Sequence, residues 1–307
     1  MGGRWSFLSV AATVPSMSDT ASAPSEPSAS DEDSSAAGSV AAGILSSRVL
    51  GLLRERAVAY FFGVSAHADA WQVAFKSPNL LQNLLGEGTI SAAFIPIYSR
   101  MIEADRPEAA GRFAGAIFGL LLAIAGGLAG LGVLFAEPIV TVLAPGFLGE
   151  GGAGAVSRFE LAVRAVRLIF PMAGVLVLSA WALGVLNSHR RFFVPYVAPA
   201  LWNVAIIAFL FGGAYWATGT PWAPAGAGEA FMTPVLMAGC VGAFAGGVVQ
   251  FGVQLPFVVR EMPGFTLSLS TRVEGVRDAI EAFGPVVAGR GVAQLSSYLD
   301  LFLASWL

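Results

Sequence analysis

Residues 113–136 read FAGAIFGLLLAIAGGLAGLGVLFA. The run holds no charged residue, no proline and no amide side chain. A helix of about 20 such residues crosses the hydrocarbon of a bilayer. The stretch decides the fold class, because a soluble domain seldom hides so long an apolar segment in one piece. The rest of the chain agrees with it. Of 307 residues, 56% are hydrophobic and 12% charged, against about 25% charged in a typical soluble domain. Further apolar stretches of bilayer length fall at 40–63, 70–99, 166–187, 194–217, 231–259 and 279–307. The expected architecture is an all-α polytopic membrane protein with seven spans in this sequence.

Loop charge sets orientation, since basic residues concentrate on the cytoplasmic side. Arg100, Arg106 and Arg112 follow the second span, Arg190 and Arg191 the fourth, and Arg260, Arg272 and Arg277 the sixth. The first and fifth loops carry no basic residue. The N-terminus is therefore expected in the cytoplasm. Arg158, Arg164 and Arg167 run against this count, within FELAVRAVRLIF or just before it. That segment reads as an interfacial amphipathic turn in which Glu160 can pair with Arg164.

Residues 1–38 differ in kind. The stretch MSDTASAPSEPSASDEDSSAAGS, from Met17, is acidic and rich in Ser, Ala and Pro. It lacks the apolar surface needed to fold alone, so a disordered cytoplasmic tail is expected. The true start is Met1 or Met17. The chain ends on LFLASWL, inside apolar sequence. The expected explanation is a reading frame that continues.

Several chemistries are excluded by what the sequence lacks. It has one cysteine, Cys240, and two histidines, His67 and His189, far apart. That argues against an intrachain disulfide and a shared metal site. No phosphate loop, zinc motif or nucleophile elbow is present. No cofactor is expected, and the loop arginines are explained by topology without nucleic acid.

The informative residues are polar ones inside the spans. A charge near the bilayer centre costs at least about 2.5 kcal/mol, so such groups face protein or water. In SSRVLGLLRERAVAYFFGVSAHADA (46–70), Arg48 and Arg54 lie six residues apart. That spacing turns about 120° around a helix and about 9 Å along it. Both can line a wide cavity. Alternatively Arg48 pairs with Glu55, and Arg54 and Arg56 reach an interface. Asp69 reads either as a helix cap at the outer face or as a functional acid, with Lys76 placed to neutralise it. Pro78 and the Gly86-Glu87-Gly88 run look like interruptions, which membranes tolerate where the backbone lines a cavity. Arginine forks match phosphate oxygens bidentately, which favours an anionic, phosphate-bearing substrate.

These strings carry a resemblance. SSRVLGLLRERAVAYFFG (46–63), ADAWQVAFKSPNLLQNLLGEGTISAAFIPIYS (68–99), LAPGF (143–147), GVLNSHRRFFVPYVAPALWNV (184–204) and GGVVQFGVQLPF (246–257) are similar to the MurJ/MviN family of lipid II flippases. That family belongs to the multidrug/oligosaccharidyl-lipid/polysaccharide exporter superfamily. The resemblance implies two six-helix lobes in an inverted V, as in MATE transporters. Residues 39–262 would then form the first lobe, and 263–307 a cytoplasmic loop and the first helix of the second. It implies a transporter, not an enzyme, in the bacterial inner membrane. Its substrate would be lipid II, moved to the periplasmic leaflet by alternating access. Membrane lipids, and proteins of cell-wall synthesis and division, would be its partners.

The same resemblance assigns candidate site residues. Arg48 and Arg54 match the family's first-helix arginines, Asp69 its acid at the start of the second helix, and Glu87 the acid of GEG. Where the family often has an arginine after PNLL, this chain has Gln82. Arg290 would supply a cation from the second lobe, or else be a structural arginine paired with Glu281 or Asp300. Asp69 and Glu87 are candidates to sense a driving cation. Competing readings are a flippase for another polyprenyl-linked glycan, and a non-transporting scaffold for cell-wall synthesis that docks through its tail.

Overall fold

The computed structural model describes residues 29–149, 157–224 and 226–304. Every regular element among them is helical. α1 spans Ala29–Phe62, α2 Ala66–Leu85, α3 Glu87–Ala93 and α4 Ile95–Glu103. α5 (Pro107–Leu134) leads into the short α6 (Ala136–Leu143) and a 3-10 turn at Pro145–Gly149. α7 (Arg158–Ser188), α8 (Phe193–Thr218), α9 (Glu229–Glu261) and α10 (Val276–Ala304) complete the order. α5, α7, α8 and α9 are long and apolar enough to cross a membrane. They coincide with the spans expected at 113–136, 166–187, 194–217 and 231–259.

Local chemistry sets the boundaries. α5 opens on Pro107 with Glu108 in its first turn. Proline lacks only a donor that this position leaves unbonded, and an acid there meets the positive end of the helix. α8 closes on Gly219, whose φ of 74° is left-handed, and its N–H bonds the Tyr215 carbonyl at 2.7 Å. This is the usual glycine stop.

Three expectations change. The stretch 70–99 is three helices, not one span. α2 runs straight through Pro78, and the division falls at Gly86 and again at Phe94. The amphipathic turn expected at 159–170 is instead part of the first half of α7, although Glu160 does face Arg164 at 3.9 Å. α1 begins at Ala29, inside the stretch expected to be unstructured. Residues 1–28 lie outside the described residues.

α7 is the axis of the bundle and packs on α2, α5 and α9, while α8 bridges α9 and α1. Its apolar window is 78% buried, against 33% in α5 and α8. α7 is therefore core, and α5 and α8 turn much of their surface outward. Its first half packs with Phe62, Trp71 and Leu236, its second half with Phe94, Tyr98 and Phe113. Polar contacts sort the loops into two ends. At one, Arg106 meets Glu274, Arg191 meets Glu261, and the Tyr98 hydroxyl lies 3.0 Å from His189 Nε2. At the other, the Ala223 N–H donates to the Tyr60 hydroxyl and Arg158 meets Asp69. The arginine-rich loops thus share one end, as the charge count anticipates, and Arg158 belongs to the opposite one.

Candidate functional site

Arg54 is the best-held of the candidates. Its Nη1 donates to Asn203 Oδ1 at 3.1 Å, and its Nη2 donates to Glu55 Oε1 at 2.5 Å. The guanidinium carbon lies 5.2 Å from the centroid of the Trp202 ring and 5.7 Å from that of Phe75. Such stacking is worth about 0.5–2 kcal/mol, more as water is excluded. Asn203 is fixed in turn: its amide nitrogen donates to the Pro199 and Ser47 carbonyls at 3.1 and 3.4 Å. Trp202 is oriented by its Nε1, which donates to the Ala243 carbonyl at 3.0 Å. The side chain of Arg54 is 17% exposed and that of Glu55 51%. One edge of the fork is locked into protein, and the other faces a carboxylate open to exchange.

Arg48 lies on the exposed face of α1 and has no polar partner among the described residues. The alternative Arg48–Glu55 pair does not form, because Glu55 turns to Arg54.

Asp69 sits in the first turn of α2, but the cap is Ser65, whose Oγ accepts from the Ala68 N–H at 3.4 Å. The partner of Asp69 is Arg158 at 3.2 Å, not Lys76. The Arg158 guanidinium also lies 5.6 Å from the Phe147 centroid, in the LAPGF turn. This clasp joins α2 to α7 at the end of the bundle away from the arginine-rich loops.

The third group gathers at the Gly86 division. The Gly86 N–H donates to the Gln82 carbonyl at 2.7 Å, and a Cβ at Gly86 would lie 2.2 Å from that same oxygen. Only glycine fits. Arg290 reaches across from α10, and its Nη1 donates to the Asn83 carbonyl at 3.3 Å. A Cβ at Gly88 would lie 1.5 Å from Arg290 Nη2, so the second glycine of GEG makes room for the guanidinium. Arg290 is not paired with Glu281, which takes Arg277 at 3.1 Å, nor with Asp300. Glu87 opens α3 at this point, and its side chain lies outside the described residues. Gln82 lies seven residues from Phe75, on the same face of α2 and about 10 Å along it. Arg54 and the division therefore share one side of α2. Asp69 stands apart at the helix start.

Asn203, Trp202, Phe75 and Arg158 were not signalled by the sequence as site residues. The first three sit in LWNV and WQVAF, where a lone amide among apolar residues is the only cue. A family model described as Lipid II flippase MurJ matches residues 58–307. The chain belongs to the MurJ family. A probable lipid II flippase MurJ of Bdellovibrio bacteriovorus is 31% identical over 272 residues, covering 87% of this chain and 48% of the relative. A lipid II flippase MurJ of Burkholderia cenocepacia is 33% identical over 271 residues, covering 86% and 48%. The chain thus spans about half the length of the curated relatives it matches. A MurJ structure in an inward closed conformation superposes with a TM-score of 0.62 at 21% identity, covering 87% of this chain and 50% of that one. A Vibrio cholerae MATE transporter in the bent form gives 0.58 at 14%, covering 89% and 57%. Both share the fold. The family and the four membrane-length apolar helices make this chain an all-helical, multi-pass membrane protein. The family-model match begins after Arg48 and Arg54, so their assignment rests on the SSRVLG and LLRE strings.

Proposed function

We propose that this chain is the first lobe (39–262) of a lipid II flippase, with residues 263–307 forming the link to a second lobe and its opening helix. The transporter sits in the bacterial inner membrane with its N-terminus in the cytoplasm. It carries the lipid-linked precursor to the periplasmic leaflet by alternating access. The observation that carries this reading is the geometry of Arg54. Its fork is preorganised by Asn203 and two aromatic rings, and its free edge faces an exposed carboxylate. A pyrophosphate oxygen can replace Glu55 on that edge without moving the arginine. Charge-assisted contacts of this kind are roughly twice as strong as neutral ones. Arg48 supplies a second cation from the open face of α1. Arg290, lodged at the α2–α3 division beside Gln82 and Glu87, supplies a third.

The Asp69–Arg158 clasp fits the outer gate of such a cycle, since it ties α2 to α7 where release would occur. The test uses the full-length transporter that carries this lobe, in a bacterium depleted of its own flippase. Arg54→Ala abolishes rescue with membrane insertion intact. Arg54→Lys also fails, because one ammonium cannot serve Asn203 and a phosphate at once. Normal growth with Arg54→Ala would remove the arginine from the mechanism.

A further inference from the structure

Residues 262–275, between α9 and α10, form an extended strap laid along α5. Gly111, Gly115 and Gly119 recur every four residues on one face of that helix. A Cβ at each would lie 2.1–2.2 Å from a strap carbonyl oxygen, those of Pro263, Thr266 and Ser268 in turn. Three glycines therefore form a notch that only bare backbone can fill. Phe265 packs against Phe118 and Trp181, with ring centroids 6.2 and 6.3 Å apart. The far end is pinned by Arg106, which grips both carboxylate oxygens of Glu274.

The seating fixes which side of the strap faces out. In TLSLS (266–270) Leu269 stands outward between the half-buried Ser268 and Ser270, while Leu267 lies over the edge of the notch, with Cδ1 3.4 Å from the Cβ position of Gly119. Leu267 is 61% exposed and Leu269 64%. Arg260 and Arg272 flank this apolar row and form no ion pair among the described residues, whereas Glu261 and Glu274 are both engaged. α5 is 28 residues long, about 42 Å, the thickness of a bilayer with its headgroups. The notch occupies the stretch from the headgroup zone to the adjoining acyl region. Few strap N–H groups are bonded within the protein, as with Ser270 to the Ser268 hydroxyl at 3.1 Å. Lipid tails cannot serve the remainder, but water and headgroups can. Beyond the notch α5 presents Leu122, also exposed and within about 60° of the glycine face, so the apolar row continues onto that helix.

We propose that the strap is a membrane-surface anchor: Leu267 and Leu269 enter the acyl boundary while Arg260 and Arg272 hold anionic lipid headgroups. Leucine and arginine in this arrangement combine apolar insertion with about 1 kcal/mol of attraction per basic residue. The inference needs only that the chain is membrane-embedded, and it stands whether or not the lipid II reading does.

The test places bimane on Leu269→Cys in a Cys240→Ala background of the 307-residue chain. The outward side chain leaves the packed side of the strap intact. The protein is reconstituted in phosphatidylglycerol vesicles with bromine on the upper acyl carbons. Bromine is expected to quench emission at least twofold, and pure phosphatidylcholine vesicles to halve that quenching. Arg260→Gln with Arg272→Gln should remove the difference between the two lipids. A label untouched by bromine and quenched by aqueous iodide overturns the anchor and leaves the surface free for a soluble partner. Equal quenching in both lipids overturns the role of the arginines.

Discussion

The helices before residue 104 and those after it solve the membrane problem in opposite ways. α5, α7, α8 and α9 are uninterrupted, apolar and packed chiefly through small and aliphatic side chains. α1 to α4 carry Arg48, Arg54, Glu55, Asp69 and Lys76, and their second stretch is divided twice. The contrast shows where the polar interactions have been placed. The apolar helices form a frame whose stability is spread over many contacts. The polar ones hold a few charges, two of them against a named partner from that frame: Asn203 of α8 for Arg54, and Arg158 of α7 for Asp69. Removing the charges of the polar half should chiefly cost function, whereas stability rests on the packing of the frame and on the backbone division at Gly86.

Glycine substitutions give the largest separation of the two halves. In α5, Gly126 and Gly127 have open space where a Cβ would go. Gly126→Ala should be neutral or stabilise by about 0.5–1 kcal/mol through helix propensity. At Gly86 the same methyl meets backbone 2.2 Å away. Gly86→Ala must shift the α2–α3 division, with an expected loss of about 1–3 kcal/mol. Gly88→Ala is the informative third member. Its methyl meets only the tip of Arg290, so the fold should survive while Arg290 is expelled and rescue of a flippase-depleted strain falls. Cys240 is fully buried, so a thiol-reactive dye reports unfolding directly. Equal melting temperatures for Gly86→Ala and Gly126→Ala would erase the distinction.

What the sequence revealed follows the same division. The apolar spans were legible because composition and length suffice when every neighbour is hydrophobic. Their starts and stops moved by a few residues, as at Arg158, because flanking charges do not end a helix. In the polar half, the residues were legible and their partners were not. Lys76 was the local choice for Asp69 because it lies seven positions away, but α7 brings Arg158 to that end of α2. Asn203 lies 149 residues from Arg54, and only the packing of α1 on α8 joins them. Pro78 read as a break, yet α2 continues through it, with the Ser77 hydroxyl donating to the Val73 carbonyl at 2.7 Å. The division falls at the other interruption read from the sequence, the Gly86-Glu87-Gly88 run, where bare backbone allows it.

The Asp69–Arg158 clasp should matter less to stability than the division. Arg158 and Asp69 are 28% and 46% exposed, so solvent screens much of their attraction. Asp69→Asn or Arg158→Gln should lower stability by no more than about 1 kcal/mol. In the proposed cycle both should nonetheless impair rescue. A charge swap, Asp69→Arg with Arg158→Asp, should restore part of it if the clasp is what matters. Rescue unaffected by either single variant would confine Asp69 to a surface role.

The smallest effect lies at the opposite end, in the loop joining α7 to α8. Burial holds His189 below the ordinary imidazole range, and the Arg191 charge pushes the same way, while Glu261 partly offsets both. Its Nε2 lies 3.0 Å from the Tyr98 hydroxyl and its Nδ1 3.6 Å from Glu261. The folded state therefore takes up a proton less readily than the unfolded chain. The stability this gives is complete above about pH 6.5 and is lost as pH falls through the lower folded value. Melting temperature, read through Cys240, should decline more between pH 7 and 5 in the native chain than in His189→Gln, which has nothing to titrate. Parallel pH profiles for the two would mean that the acid sensitivity of this end comes from its carboxylates, with Glu274, held below its usual range by the Arg106 hydrogen bond, the first to examine.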